Sequence, residues 1–134
     1  MKNLLMAMAL AMCAVAFGAG AADGLLEVAA GAVSRTLDVN GGKLLGHSYQ
    51  TADGTEFMKN GSPEFAFRVD GRMFSGGSPW KDVAFAGKEA KDGSRVVAVT
   101  GVSSESRVGV ELTYTTYPGL ALVRTRLAVE NRGE

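Results

Sequence analysis

Hydrophobic and polar residues alternate along much of this chain, and the longest alternation lies near its C-terminal end. Two alternating runs flank the dipeptide Pro118-Gly119 within residues 107–130. Period two over this length predicts two antiparallel β-strands that each bury one face. The apolar positions are Val108, Val110, Leu112 and Tyr114 in the first run, and Val123, Leu127 and Val129 in the second. We therefore expect a hairpin to be the central element of the fold.

The loop of this hairpin sets the register of its strands. A two-residue L-Pro-Gly loop twists the wrong way for a hairpin, so we expect a four-residue loop at residues 117–120. A slip of one residue would turn the apolar set outward. The predicted cross-strand pairs are Val108–Val129, Val110–Leu127, Tyr114–Val123, Glu111–Arg126 and Arg107–Glu130.

Two further hairpins are predicted earlier in the chain. Residues 33–39 and 43–49 form strands around the turn signal Asn40-Gly41-Gly42. Residues 65–69 alternate with their aromatic positions inward, and Asp70-Gly71 after them is typical of a type I′ turn. The predicted pairs are Leu37–Leu45 and Val33–Tyr49 in the first of these hairpins, and Phe67–Phe74 in the second.

The spacing of these strands predicts the fold class. Further short strands are expected at residues 80–86 and 94–100, and no segment after residue 21 shows helical periodicity. Short strands separated by glycine-rich turns predict an all-β fold, an antiparallel β-sandwich. The turn at residues 131–133 is followed by no strand. We therefore expect an incomplete sandwich whose last strand exposes a pairing edge, in a fragment or a prematurely ended reading frame.

The first 21 residues have the three parts of a secretory signal peptide. Lys2 gives a positive start, residues 4–17 form an apolar core, and Ala19-Gly20-Ala21 is an A-x-A cleavage motif. The apolar run is shorter than the roughly 20 residues of a membrane span. A membrane anchor and a lipoprotein anchor at Cys13 are the alternatives. The expected organisation is a signal peptide at residues 1–21 and a partial β-sandwich domain at residues 22–134, secreted or periplasmic.

Composition narrows the function classes. Cleavage after Ala21 would remove Cys13, the single cysteine, so the exported domain would have no disulfide. Basic and acidic residues number 14 each, and the formal net charge is 0. A neutral chain lacks the electrostatic footprint of a nucleic-acid-binding or membrane-surface protein. After cleavage we expect neither partner.

Three stretches point to a family. They are V-S-R-T-L-D-V-N-G-G-K-L at residues 33–44, S-P-E-F at residues 62–65, and L-T-Y-T-T-Y-P-G-L-A-L-V-R-T-R-L-A-V-E-N at residues 112–131. Together they resemble the N-terminal β-supersandwich domain of bacterial family 36 glycoside hydrolases, the α-galactosidase type. The last stretch, with Y-P-G between two strands and E-N at its end, is the most specific.

The resemblance implies a secreted or periplasmic polypeptide from a carbohydrate-degrading system. In that family the β-domain precedes a (β/α)₈ barrel, which supplies both catalytic carboxylates. No residue of this chain matches either carboxylate, so we expect no catalytic residue, no cofactor and no activity from the chain alone. The implied role is structural: to pack on the missing catalytic barrel, to shape the rim of its sugar pocket and to support homo-oligomers.

Candidate binding residues are few. Trp80 is either an aromatic platform that stacks on a sugar or a large residue that covers the sandwich core. Tyr49, Tyr114 and Tyr117 raise the same question. His47, the single histidine, has no partners at metal-ligand spacing, so no metal site is expected. The alternative function is a stand-alone secreted module that binds carbohydrate through Trp80 and neighbouring loops.

Overall fold

The computed structural model describes residues 19–21 and 23–133, and within them the chain is all-β. Most of the predicted signal peptide, residues 1–18, lies outside the described residues. The single helical element in the described part is a 3₁₀ turn at Asn40–Gly42. The strands are β1 (Ala19–Ala21), β2 (Leu25–Ala30), β3 (Val33–Asp38), β4 (Leu45–Thr51), β5 (Ser62–Pro63), β6 (Ala66–Val69), β7 (Arg72–Ser75), β8 (Trp80–Glu89), β9 (Arg95–Ser103), β10 (Val108–Thr116) and β11 (Val123–Asn131).

These strands form three antiparallel sheets. The larger layer has five strands in the order β1-β8-β9-β10-β11, and the facing layer has four in the order β2-β3-β4-β5. Strands β6 and β7 form a separate two-stranded ribbon. The two main sheets pack as a sandwich, and their alternating inward side chains form the core between them. The predicted all-β, antiparallel sandwich class is therefore confirmed.

The core is aliphatic at its centre and aromatic at one side. The largest fully buried side chains are Tyr114, Leu37, Leu44, Leu112, Val39 and Val99. Beside them Phe67 stacks between Phe65 and Phe74, with ring centroids 5.7 and 5.4 Å away. Such offset aromatic pairs add about 0.5–1.5 kcal/mol to the burial of their area. This aromatic group joins the small ribbon to the main sandwich.

The predicted register of the last hairpin was wrong by two residues. Its loop covers residues 117–122, so that Val110 lies opposite Val129 and Leu112 opposite Leu127. Glu111 faces Ala128 rather than Arg126. Because an even shift keeps the same side chains on the inner face, both registers bury the same apolar set and periodicity does not separate them. The inward direction of Val110 was correct.

The predicted register between β3 and β4 was also wrong. Leu37 lies opposite Gly46, and Val33 lies opposite Thr51. The register changes between Thr36 and Leu37, where His47 is the extra residue of a β-bulge in β4. The bulge places Tyr49 opposite Arg35.

The hairpin of the ribbon was predicted correctly. Asp70 and Gly71 have φ values of 49° and 76°, as a type I′ turn requires, and Phe67 lies opposite Phe74. Strand β8 is longer than predicted, because it continues to Glu89 rather than ending at residue 86. The described part of the chain contains no helix with the length and apolar character of a membrane span.

Candidate functional site

A charged cluster lies buried between the two layers. The side chain of Glu64 has no exposed surface, and that of Arg35 is 14% exposed. Arg35 Nη2 donates to Glu64 Oε1 at 2.7 Å and to Oε2 at 2.8 Å. Tyr114 Oη donates to Glu64 Oε2 at 2.6 Å. The buried carboxylate is therefore neutralised and hydrogen-bonded, as a buried charge must be if the fold is to be stable. We call Arg35, Glu64 and Tyr114 the arginine cluster.

Each member of the arginine cluster comes from a different element. Arg35 lies on β3, Glu64 follows β5, and Tyr114 lies on β10 of the opposite sheet. Two glycines make room for Glu64, Gly46 beside its carboxylate and Gly76 beside its backbone. A Cβ at Gly46 would overlap the side chain of Met58 and would lie 2.8 Å from Glu64 Oε1. A Cβ at Gly76 would overlap the carbonyl of Leu44 and would lie 2.9 Å from the amide nitrogen of Glu64.

Aromatic rings surround the guanidinium. Arg35 Cζ lies 5.4 Å from the ring centroid of Tyr49 and 6.0 Å from that of Tyr114, within cation–π range. Tyr49 in turn contacts the exposed ring of Phe57 edge-on, at 6.1 Å. Arg35 Nε is buried and has no hydrogen-bond partner. The rings therefore provide much of the environment that replaces water around the cation.

The electrostatics of the arginine cluster fix its protonation. Burial raises the pKa of Tyr114, and the adjacent Glu64 carboxylate raises it further, so the phenol remains a donor. Burial acts to lower the pKa of Arg35, but the hydrogen bond and charge of Glu64 outweigh it, and the pKa is raised. Tyr114 therefore stays neutral and Arg35 stays charged at physiological pH. The arrangement suits a fixed link between layers rather than proton transfer.

A separate open cleft lies at one end of the sandwich. Its volume is about 330 Å³, and its walls include the β2–β3 turn at Gly31, the ends of β8 and β9, and the β10–β11 loop. Tyr117 and Pro118 line one side. Glu89 and Arg95 also line the cleft, and Arg95 Nε lies 3.8 Å from Glu89 Oε2. An aromatic ring beside a carboxylate and a guanidinium can contact a small polyhydroxylated ligand.

Trp80, the predicted sugar platform, lies in the core. It is 3% exposed, and its ring packs edge-on against Phe65 with centroids 5.6 Å apart. Its indole nitrogen donates to the carbonyl of Ser75 at 2.9 Å. Trp80 therefore covers the sandwich core. Its ring has no free face on which a sugar could stack.

The other candidate residues lie at the arginine cluster, in the cleft or in the bulge of β4. Tyr114 belongs to the arginine cluster, Tyr49 lies beside it, and Tyr117 lines the cleft. His47 is half-buried in the bulge of β4. Among the residues described, no group of three or more His, Cys, Asp or Glu side chains is placed to hold a metal ion.

Sequence reasoning missed the partnership of Arg35 and Glu64, although a signal for Arg35 was present. Side chains two residues apart in a strand point to the same face, so Arg35 lies on the same face as Val33 and Leu37. Because that face is buried, the pattern places a cation inside the sandwich. A buried Arg needs a buried partner. Nothing local identifies Glu64 as that partner, because 29 positions separate the two residues.

Comparison of the chain with protein-family models, with curated proteins and with solved structures gives no match.

Proposed function

We propose that this chain is an exported, non-catalytic accessory β-domain of an α-galactosidase-like glycoside hydrolase. One observation carries the proposal. The three stretches that resemble the family each contribute one member of the arginine cluster: Arg35 from residues 33–44, Glu64 from residues 62–65 and Tyr114 from residues 112–131. The resemblance therefore falls on the residues that hold the two layers together.

This placement favours an architectural role. Residues that serve a shared architecture are expected at layer contacts, whereas residues that serve sugar binding are expected on exposed loops. The loop at residues 117–122 adds a surface for the barrel of such an enzyme, because Leu120 is 51% and Leu122 is 47% exposed. Exposed apolar side chains of this size are typical of packing between domains.

The coding DNA beyond the codon for Glu134 tests the proposal. We expect an open frame that continues into βα repeats and carries two carboxylates suited to retaining hydrolysis. The complete polypeptide should then cleave α-galactosides, and the chain described here should not. Reproducible α-galactoside turnover by this chain alone, or a stop codon directly after Glu134 with a stable product, would contradict the proposal.

The cleft favours a second candidate function, a stand-alone carbohydrate-binding module. In this alternative Tyr117 takes the role first considered for Trp80, since Tyr117 lines an open cleft and Trp80 is buried. Calorimetric titration with galactosides separates the two candidates. The binding module predicts saturable heat that Tyr117→Ala abolishes. Phe57→Ala is the matched control, because this exposed ring lies outside the cleft and its loss should leave the binding unchanged.

A further inference from the structure

Strand β11 presents an open backbone edge. It is the last strand of the five-stranded sheet, and among the described residues it pairs with β10 alone. Its ladder runs over all nine residues, Val123–Asn131, without a shift in register. Proteins usually protect such edges with proline, bulges or short strands. β11 has none of these three, and its protection consists of the charged residues Arg124, Arg126 and Glu130. Its edge is therefore suited to a strand whose charges complement them.

The two faces of β11 differ. On the inner face Leu127 is partly buried, while Val129 is 46% exposed although it lies opposite the buried Val110. On the outer face Arg124, Arg126 and Glu130 are exposed, and Glu130 forms an exposed ion pair with Arg132 of the same chain at 3.1 Å. The apolar inner face of β11 is therefore incompletely covered. Its outer face carries two opposite charges, Arg124 and Glu130, six positions apart.

The geometry points to a second copy of this chain as the occupant of the β11 edge, paired antiparallel about a two-fold axis at Leu127. In this register Arg124 lies opposite the partner's Glu130, and Glu130 lies opposite the partner's Arg124. Leu127 meets the partner's Leu127 on the inner face, and Val129 meets the partner's Thr125. This symmetric interface would pair the free backbone N–H and C=O groups of β11. It would also cover Val129 and form two charge pairs.

Neighbouring registers are disfavoured by like charges. Moving the axis to Arg126 places this residue opposite the partner's Arg126. Moving it to Ala128 pairs Arg126 with the partner's Glu130 but places Arg124 opposite the partner's Arg132. Axes between residues would join the inner face of one copy to the outer face of the other. Of the three axes, at Arg126, Leu127 and Ala128, only the one at Leu127 pairs opposite charges without placing like charges opposite each other.

A charge exchange tests this interface. Arg124→Glu and Glu130→Arg each place two like-charged pairs across the axis, so each variant alone should raise the dimer dissociation constant about tenfold or more. An equimolar mixture of the two variants should dimerise again. In the mixed dimer the introduced Glu at position 124 faces the introduced Arg at position 130, and the second pair is the native one between Glu130 and Arg124. Analytical ultracentrifugation of the wild-type chain, each variant and the mixture measures this.

Arg126→Glu is the matched control. It makes the same charge change on the same face of the same strand, but in the proposed register it faces the partner's Ala128. It should leave the dissociation constant within about twofold of wild type. Loss of the dimer in this variant, or a wild-type chain that stays monomeric over its whole soluble range, would overturn the proposal.

A disulfide provides a second test that does not depend on charge. In a chain with Cys13→Ser, the substitution Leu127→Cys brings two thiols together across the axis. Mild oxidation should give a covalent dimer. Thr125→Cys faces the partner's Val129 and should stay reduced, since residues directly opposite across a ladder are within disulfide reach and displaced ones are not. Equal cross-linking at both positions would exclude the register.

Discussion

At the scale of single residues, Glu64 is the position on which the fold depends most. Its carboxylate is fully buried and accepts hydrogen bonds from Arg35 and Tyr114. A buried ion pair is not in itself strong stabilisation, because both charges lose their hydration. Removing one partner is different, since the other charge then stays buried without compensation.

We therefore predict that Glu64→Gln lowers the free energy of unfolding by about 3–5 kcal/mol. The double variant Arg35→Met with Glu64→Leu should lose much less, because no charge remains buried. Urea unfolding of Glu64→Gln and of the double variant measures both values, and the single variants Arg35→Met and Glu64→Leu complete a double-mutant cycle with the double variant. Glu111→Gln on the exposed face of β10 is the control and should change stability by less than about 0.5 kcal/mol. Equal losses at Glu64 and Glu111 would show that the arginine cluster is not a stability determinant.

A second residue-scale prediction concerns acid. The amide of Tyr49 and the hydroxyl of Ser48 donate to the Glu56 carboxylate at 2.7 Å, and these bonds lower its pKa from 4.5 to about 2. Because the folded-state pKa is depressed, this stabilisation is present above pH 4.5 and is lost as the pH falls towards 2. The difference in melting temperature between the wild-type chain and Glu56→Gln should therefore shrink over this interval. A difference that stays constant with pH would contradict the assignment.

Sequence patterns predicted which residues point inward. They did not predict which contacts those residues make in the core. Period two placed Leu37 and Leu112 in the core correctly, because burial of apolar area follows side-chain direction. Arg35 lies on the same face as Val33 and Leu37 and was not assigned from the sequence, and its charge partner is set by contacts between distant segments. Trp80 could not be assigned from local sequence, because an aromatic residue beside a loop suits both a core cover and a ligand platform.

At the scale of elements, the bulge of β4 depends on the absence of a side chain at Gly46. A methyl group there would overlap the Met58 side chain and approach the Glu64 carboxylate. We predict that Gly46→Ala destabilises the chain by about 1–3 kcal/mol through overpacking. Gly77→Ala is the control, because the nearest atom to its added Cβ would be 3.5 Å away. Thermal unfolding measures both, and a Gly46→Ala variant as stable as Gly77→Ala would show that β4 shifts freely.

The turns and the bulge differ in how much of their geometry the sequence predicts. The turn at Asp70-Gly71 was assigned with its register, because two consecutive residues with positive φ specify the hairpin. The loop at residues 117–122 was not, since Pro118-Gly119 fixes a turn but not the number of residues around it. The bulge at His47 had no local signal. It shifts the register of β4, so that Tyr49 lies opposite Arg35 while Leu37 stays buried.

At the scale of the whole molecule, the fold class followed from strand spacing alone, while the connection between the layers did not. The arginine cluster joins the two main sheets through elements that are distant in sequence. The contacts of Phe65 and Phe74 with Trp80 join the ribbon to β8 of the larger sheet. Each sheet leaves apolar residues exposed without the other, so neither layer has an independent core. The two layers should therefore unfold together.

This interdependence is testable because Trp80 is the single tryptophan and lies within the contact between sheet and ribbon. We predict that urea transitions followed by Trp80 fluorescence and by far-ultraviolet circular dichroism coincide, as two-state unfolding requires. Glu64→Gln should move both midpoints together to lower urea, and Glu111→Gln, on the exposed face of β10, should move neither. A fluorescence transition that precedes the loss of strand signal would mean that the ribbon and its aromatic group detach first. In that case the arginine cluster would stabilise the two main sheets but would not make the molecule one cooperative unit.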